Sequence, residues 1–165
     1  MGMKEIVYVN SGEVKLGDAN TLLNSGAIGS CVVVCMCNSE NKTGAMAHIM
    51  LPGAAPEGKE FKNTKYAANA IQELLTIMQN DEGEMNQLET SIIGGANVLK
   101  RSNDTVGKNN IVSVEKLLDK NGIKISAKAI GGFERRTVLF DIEKGCIFFT
   151  VGDSKQKILW QTGSN

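Results

Sequence analysis

The 165-residue sequence is poor in several residue types, and each shortage excludes a class of protein. Lys and Arg number 18 against 18 Asp and Glu, so the chain lacks the basic excess that nucleic acids and anionic membranes attract. Aromatic residues are only 5% of the chain, too few for a surface that stacks bases. We therefore expect no nucleic-acid partner and no direct insertion into a membrane.

Long apolar segments are missing as well. The longest apolar run, Cys31–Cys37, is far shorter than the roughly 20 residues that cross a bilayer. The first residues, Met1–Ile6, include two charged side chains and no apolar stretch of the kind found in a secretory signal. A cytoplasmic protein with reduced thiols is the expectation.

What the chain does contain is enough for one ordinary core. Hydrophobic residues are 42% of the total, glycine is frequent at 18 residues, and proline occurs only twice. The length predicts a single domain over residues 1–165, with a core at about 6–151 and a tail at 152–165.

Sequence periodicity predicts a mixed α/β (α+β) domain. Two helices are expected, Asn63–Gln79 and Asn110–Asn121, with an asparagine at the start of each as a cap. The segment Gly12–Gly29 is small and polar, which predicts a loop with at most a short strand at Glu13–Leu16. The main predicted strands are Lys4–Val9, Cys31–Cys37, Ala45–Leu51, Leu88–Ile93, Ile123–Ile130, Arg136–Ile142 and Cys146–Val151.

Strands and helices do not alternate in this prediction as a doubly wound parallel sheet would require. The pairs Gly94-Gly95 and Gly131-Gly132 follow predicted strands, where they indicate tight turns. No element is predicted after Gly152.

Four cysteines and a single histidine carry most of the chemistry of the chain. Cys31 and Cys37 would lie about 20 Å apart on an extended strand. That separation excludes a disulfide between them, and it excludes their joint use as ligands of one zinc ion. We expect neither a metal nor a cofactor.

Cys31 follows the small, glycine-containing run that begins at Ser25. Gly29 and Ser30 leave room beside the sulfur, and the backbone N–H groups of such a turn can face a developing oxyanion. The candidate base is His48, on the strand predicted to follow. Pairing Cys37 near Ala45 in a hairpin would place Cys31 opposite a residue a few positions past Met50, within reach of His48.

A neighbouring imidazole can lower the pKa of a thiol until thiolate dominates at neutral pH. Burial is the competing interpretation, because free cysteines often simply pack in a core, and we expect Cys35, Cys37 and Cys146 to do so. A redox pair of Cys31 with Cys35 is a further alternative, although strand geometry disfavours it.

These segments resemble the CheD family of chemotaxis proteins, the chemoreceptor glutamine deamidases. The resemblance is carried by Gly29-Ser30-Cys31 and by the nine-residue run Gly44–Pro52 that contains His48. It continues through Asn63–Ala67, Ile93–Ala96 and the Gly131-Gly132 pair with Arg136 and Phe140. The implied fold is the layered one shared with deamidating toxins of the cytotoxic-necrotizing-factor type, a β-sheet core with outer helices.

The resemblance implies a catalytic set of Cys31 as nucleophile, His48 as base and Ser25 as third polar partner, at a position where many members have threonine. It also implies glutamines on the cytoplasmic helices of chemoreceptors as substrates, and the phosphatase CheC as a partner. The family's arginine is replaced by Asn109. Together with Ser25, that departure leaves a non-catalytic adaptor that binds receptors or CheC as the alternative.

Overall fold

The computed structural model describes residues 2–61, 63–79 and 87–163, and within these ranges the chain forms ten strands and two helices. The strands are β1 (Glu5–Tyr8), β2 (Val14–Gly17), β3 (Thr21–Ile28), β4 (Val32–Asn38), β5 (Thr43–Ile49), β6 (Glu89–Gly94), β7 (Ile125–Ile130), β8 (Arg136–Asp141), β9 (Cys146–Val151) and β10 (Lys157–Gln161). The helices are α1 (Ala67–Gln79) and α2 (Val106–Lys120).

The strands form two mixed five-stranded sheets. We call the sheet ordered β1-β3-β8-β9-β10 the outer sheet and the sheet ordered β2-β5-β4-β6-β7 the central sheet. Pairing is antiparallel except for β1 with β3 and β6 with β7. One face of the central sheet packs against the outer sheet and the other packs against α1 and α2. This arrangement confirms the predicted layered α/β class with helices outside.

Burial on both faces explains the uniformly apolar sequence of β4. All seven of its residues are buried, as expected for a strand in the middle of a covered sheet. Alternate residues of β4 enter two separate cores. Val34 and Met36 face the helices, whereas Val33, Cys35 and Cys37 face the outer sheet. The outer sheet has only one covered face, so the burial of β3 alternates along the strand.

Helix α2 begins one turn before the position that the sequence predicts. Thr105 occupies the N-cap, and the Asp104 carboxylate accepts a hydrogen bond from the Val106 N–H at 3.1 Å. Asn110, predicted as the cap, therefore lies inside the helix and is fully buried. Gly107 permits this start, because a Cβ there would lie 2.5 Å from the carbonyl oxygen of Gly95.

Helix α1 begins at Ala67, four residues after the predicted cap at Asn63. Two strands were missed by the sequence prediction. β3 occupies eight residues of the predicted loop Gly12–Gly29, and β10 lies in the segment after Gly152 where no element was predicted. Neither helix in the described part of the chain has the length and apolarity needed to cross a membrane.

Candidate active site

Cys31 lies in the short connection between the outer and central sheets, three residues after β3 ends and one before β4 begins. Its carbonyl oxygen accepts a hydrogen bond from the Gly95 N–H at 2.8 Å, and the Gly29 carbonyl accepts one from Ala96 at 2.9 Å. A Cβ on Gly94, whose φ is +118°, would stand 2.2 Å from the Cys31 carbonyl oxygen. The first glycine pair is thus the surface against which the backbone of the candidate nucleophile rests.

The register of β4 and β5 brings Cys31 and His48 together. Val33 is paired with His48, and Cys37 with Gly44, one residue from the predicted partner. Because side chains alternate along a strand, Cys31 lies on the same face as Val33 and is the diagonal neighbour of His48. Both side chains face the gap between the two sheets.

The ring of His48 is oriented by a backbone group. Its Nδ1 lies 2.8 Å from the carbonyl oxygen of Val9, an atom that can only accept. Nδ1 therefore carries the proton, and in the neutral ring Nε2 is left with the lone pair of a base. Nε2 lies 3.5 Å from the Ser11 hydroxyl.

The segment Val9–Glu13 surrounds His48 on three sides. The His48 N–H donates to the Glu13 carbonyl at 2.9 Å, and the Gly12 N–H donates to the His48 carbonyl at 2.8 Å. These bonds fix the turn that carries Ser11 relative to the imidazole. The Ser11 hydroxyl also acts to lower the pKa of the Cys31 thiol, so the hydroxyl that lies near the candidate base also favours the charged form of the candidate nucleophile.

Burial acts in opposite directions on the two groups. It raises the pKa of the Cys31 thiol, and the Ser11 hydroxyl only partly opposes that shift. It lowers the pKa of His48, against the bond to Val9 and the charge of Glu13. Both shifts favour the neutral thiol and the neutral imidazole. In the site without substrate, these pKa shifts therefore favour the neutral thiol over the thiolate that the sequence led us to expect.

Asn110 joins the two strands that carry Cys31 and His48. Its buried side-chain NH₂ group donates to the carbonyl of Ser30 at 2.9 Å and to that of Met50 at 3.0 Å. Ser30 precedes Cys31, and Met50 lies two residues after His48. One amide on α2 thus fixes the separation of the candidate nucleophile and base.

Ser25 lies elsewhere in the fold. Its hydroxyl donates to the Gly26 carbonyl at 2.7 Å and accepts from the Val138 N–H at 2.9 Å. The register of β3 and β8 shifts at this point, so the hydroxyl replaces the backbone acceptor that the ladder lacks. Within the described residues Ser25 makes no hydrogen bond to His48, and the acceptor at Nδ1 is Val9.

Sequence reasoning identified Cys31 and His48 but missed three groups around them. Ser11 and the Val9 carbonyl gave no signal, since one is an ordinary turn residue and the other a backbone atom. Asn110 was noticed, but only as a helix cap.

The other cysteines are packing residues. Burial raises the pKa of Cys37 to about 11 and raises that of Cys35 further. All four thiols are free, and Cys35 lies four strand residues from Cys31, about 13 Å along the chain. In the described ranges no group of three or more His, Cys, Asp or Glu is placed to hold a metal ion.

The chain is similar to known chemotaxis proteins over most of its length. A family model described as CheD chemotactic sensory transduction matches residues 50–150. A probable chemoreceptor glutamine deamidase CheD of Chlorobium luteolum is 35% identical over 154 residues, covering 93% of this chain and 77% of its own. The chemoreceptor glutamine deamidase CheD of Thermotoga maritima is 36% identical over 137 residues, covering 80% of this chain and 86% of its own.

Among solved structures, the C-terminal domain of CNFy from Yersinia pseudotuberculosis aligns with 93% of this chain at 14% identity and a TM-score of 0.43. The chain spans 62% of that structure.

Proposed function

Because the chain belongs to the CheD family of chemotaxis proteins, we propose that it is a chemoreceptor glutamine deamidase in which Cys31 is the nucleophile and His48 the base. One observation carries the residue assignment. The register of β4 and β5 makes Cys31 the diagonal neighbour of His48, and the Val9 carbonyl holds Nδ1 in the tautomer that makes Nε2 a base.

The first step is attack on the glutamine side chain. The Cys31 sulfur forms a bond to the carboxamide carbon while its proton passes to Nε2 of His48, with the Ser11 hydroxyl as the bridge. Because the free site favours the neutral pair, the proton moves as the bond forms, which is general-base catalysis. The resulting imidazolium is stabilised by the Val9 carbonyl.

The tetrahedral oxyanion needs hydrogen-bond donors. Within the described residues the N–H groups of Ser30 and Cys31 donate to no backbone carbonyl. These two N–H groups are therefore available where the oxyanion forms. The bonds to the carbonyls of Gly29 and Cys31 hold this turn in place before substrate arrives.

Collapse of the intermediate breaks the C–N bond. The imidazolium of His48 gives its proton to the nitrogen, ammonia leaves, and Cys31 holds the glutamyl group as a thioester. His48 then takes a proton from water, which attacks the thioester carbonyl. The products are glutamate and the free thiol, so atoms and charge balance without any cofactor.

The test is deamidation of cognate receptor cytoplasmic fragments, followed by mass spectrometry of each glutamine. The wild type is expected to convert specific glutamines to glutamate, and Cys31→Ala and His48→Gln are expected to lose the activity. Cys37→Ala, at the far end of the same segment, is the matched control and keeps it. No conversion by the wild type would overturn the proposal, as would full activity of Cys31→Ala.

Ser11 allows a gentler test, because it lies on an exposed turn where substitution leaves the core intact. Ser11→Ala is expected to lower kcat by about tenfold, less than the roughly 100-fold minimum contribution of a general base, because Ser11 only relays the proton. Ser11→Thr keeps the hydroxyl and should recover most of the rate. Equal rates for all three proteins would remove Ser11 from the mechanism.

The family resemblance also supports a proposal about where the protein acts and what it binds. The protein would act in the cytoplasm on receptor helices, with the phosphatase CheC competing for it. Adding CheC to the deamidation assay is expected to slow the reaction in proportion to the complex formed. An unchanged rate, with no complex seen by sedimentation, would leave the receptor as the relevant partner.

A further inference from the structure

A cleft of about 480 Å³ opens beside the turn that carries Cys31. Val98 and Phe133 give it an apolar wall, and Arg136 lies among its lining residues. Val98 also approaches the catalytic turn, since a Cβ on Gly29 would be 3.2 Å from its methyl group. We call this space the arginine cleft.

Backbone contacts tie the arginine cleft to the nucleophile. Arg136 is paired with Ile28, the last residue of β3, three positions before Cys31. Its Nη1 donates to the Gly131 carbonyl at 2.8 Å, and the Gly131 N–H donates to the Gly94 carbonyl at 2.9 Å. Gly94 is the residue on which the Cys31 carbonyl rests. A group bound in the arginine cleft would therefore contact the turns that support the backbone of Cys31.

Arg136 is only partly satisfied by the protein itself. Its Nε is buried without a hydrogen-bond partner, and within the described residues Nη2 also has none and no carboxylate lies within ion-pair distance. Nε has almost no exposed surface, so Nη2 is the donor that an acceptor entering the cleft can reach. Burial lowers the pKa of Arg136, opposed by the charge of Glu134, which is the environment of a cation without a close partner. Half-buried unpaired charges are costly, so a ligand that supplies the missing acceptor gains from the pairing.

Three other charged residues line the arginine cleft, namely Glu134, Arg135 and Asp153. Glu134 is directed towards the next turn, with Oε2 3.1 Å from the position of a Cβ on Gly152. Two cations thus face two anions, and of the two cations Arg136 is the partly buried one, with Nη2 as its remaining donor. An incoming carboxylate would be attracted by Arg136 and weakly repelled by Glu134 and Asp153.

We propose that the arginine cleft is a substrate-recognition site in which Nη2 of Arg136 binds the carboxylate of an acidic side chain near the target glutamine. This proposal rests on the proposed function, and it adds a chemical requirement to it. The acid selects the glutamine by position, since only a glutamine at the right spacing from a bound carboxylate reaches Cys31. Val98 and Phe133 contact the aliphatic part of that acidic side chain.

The experiment separates recognition from chemistry. Deamidation of the cognate receptor fragment is measured with the wild type, Arg136→Gln, Arg136→Lys and the neighbouring exposed control Arg135→Gln. Each enzyme is also tested on fragments in which the acidic residues near the target are changed one at a time to their amides. In parallel, binding of the same fragments to the inactive Cys31→Ala protein, with and without Arg136→Gln, is measured by calorimetry.

We expect Arg136→Gln to raise KM by about tenfold while kcat changes little, as for loss of one charge-assisted contact. One substrate neutralisation should raise the KM of the wild type by the same factor and have no further effect on Arg136→Gln. Arg136→Lys should recover only part of the loss because a single ammonium nitrogen cannot replace both the Nη1 bond to the Gly131 carbonyl and the contact made by Nη2. Arg135→Gln should behave as the wild type does.

Two results would overturn the recognition site. One is a wild type whose KM is indifferent to every substrate neutralisation, a measurement that does not depend on any enzyme variant folding. The other is that the KM increases caused by Arg136→Gln and by the substrate neutralisation multiply when the two changes are combined. Arg136 would then only hold the Gly131 turn. If the wild type deamidates nothing, the proposed function fails instead. The calorimetric comparison in the Cys31→Ala background still decides the binding claim in that case.

Discussion

The central and outer sheets contribute to the candidate site in different ways. The central sheet is covered on both faces and provides the two reacting side chains, Cys31 at the entry to β4 and His48 within β5. The outer sheet has one open face and provides the surroundings, the Val9 carbonyl after β1 and the Ser11 turn. The reacting groups thus lie in the sheet that is covered on both faces, while Val9 and Ser11 follow a strand of the sheet that has one open face.

The largest difference between the sheets is expected at glycines. Gly94→Ala in the central sheet combines a φ of +118° with a Cβ 2.2 Å from the Cys31 carbonyl, and we expect it to lower the free energy of unfolding by about 4 kcal/mol. Gly26→Ala in β3 has a φ of +65° but open space, and should cost about 1 kcal/mol. Urea unfolding of both variants measures the contrast. Equal losses would mean that the outer sheet is as constrained as the central one.

Truncation of a buried isoleucine comes next. Ile92→Ala removes a fully buried side chain from the core between the central sheet and the helices, with an expected loss of about 3 kcal/mol. Ile158→Ala on β10, where the side chain is 57% exposed, should change the free energy of unfolding by less than about 0.5 kcal/mol. Thermal unfolding followed by circular dichroism distinguishes them. A substantial loss at Ile158 would contradict the view that this face of the outer sheet is open.

Asn110→Ala tests how the central sheet is held to the helix layer at the site. It leaves the carbonyls of Ser30 and Met50 without their donor, which is expected to cost about 2 kcal/mol and to lower kcat. The exposed neighbour in Asn109→Ala is the control, with neither effect. Comparing kcat for the two variants at a temperature where both are folded separates positioning from stability. An Asn110 variant with wild-type kcat would make the asparagine purely structural.

The smallest effect concerns pH. The pKa of His48 is lowered by burial, so below its ordinary value of 6.5 the unfolded chain binds a proton that the folded chain resists. This contribution to the free energy of unfolding should be fully present above that value. It should be lost as the pH falls towards the lower pKa of His48 in the folded state. The deamidation rate should follow, because the base must be neutral. His48→Gln should remove this slope from urea midpoints between pH 7.5 and 5.5, and an unchanged slope would place its origin in other groups.

The sequence allowed prediction of the parts of the molecule where periodicity and composition agree. The β4–β5 hairpin and α1 are such parts, since an apolar run or a regular stripe indicates both the element and its buried face. β3 was read as a loop because it contains asparagine, serine and glycine, which disfavour strands. Its bulge at Ser25 and the partner strand β8 accommodate them, and a pairing over more than a hundred residues leaves no local signal.

The candidate site could be predicted only where the residue type or a family motif identified its members. Cys31 and His48 were found because few residue types perform their chemistry and because their flanking segments match a family. The role expected for Ser25 came from that family alone, and the structure instead places the hydroxyl in the β3–β8 ladder. Asn110 was misassigned because an asparagine is a frequent cap, and only the position of the true helix start shows that it is buried.

The contact between His48 and the Val9 carbonyl has a consequence for how this site changes over generations. Every amino acid has a carbonyl, so no codon change at position 9 can delete the group that orients the imidazole. An alanine scan would therefore report fewer essential positions than there are participating atoms. What must be inherited is the alignment of β1 beside β3, since a slip of one residue would turn the carbonyl to the opposite side of the strand. Residue 9 can therefore change in identity as long as the register is kept and the new side chain fits the core, where Val9 is fully buried.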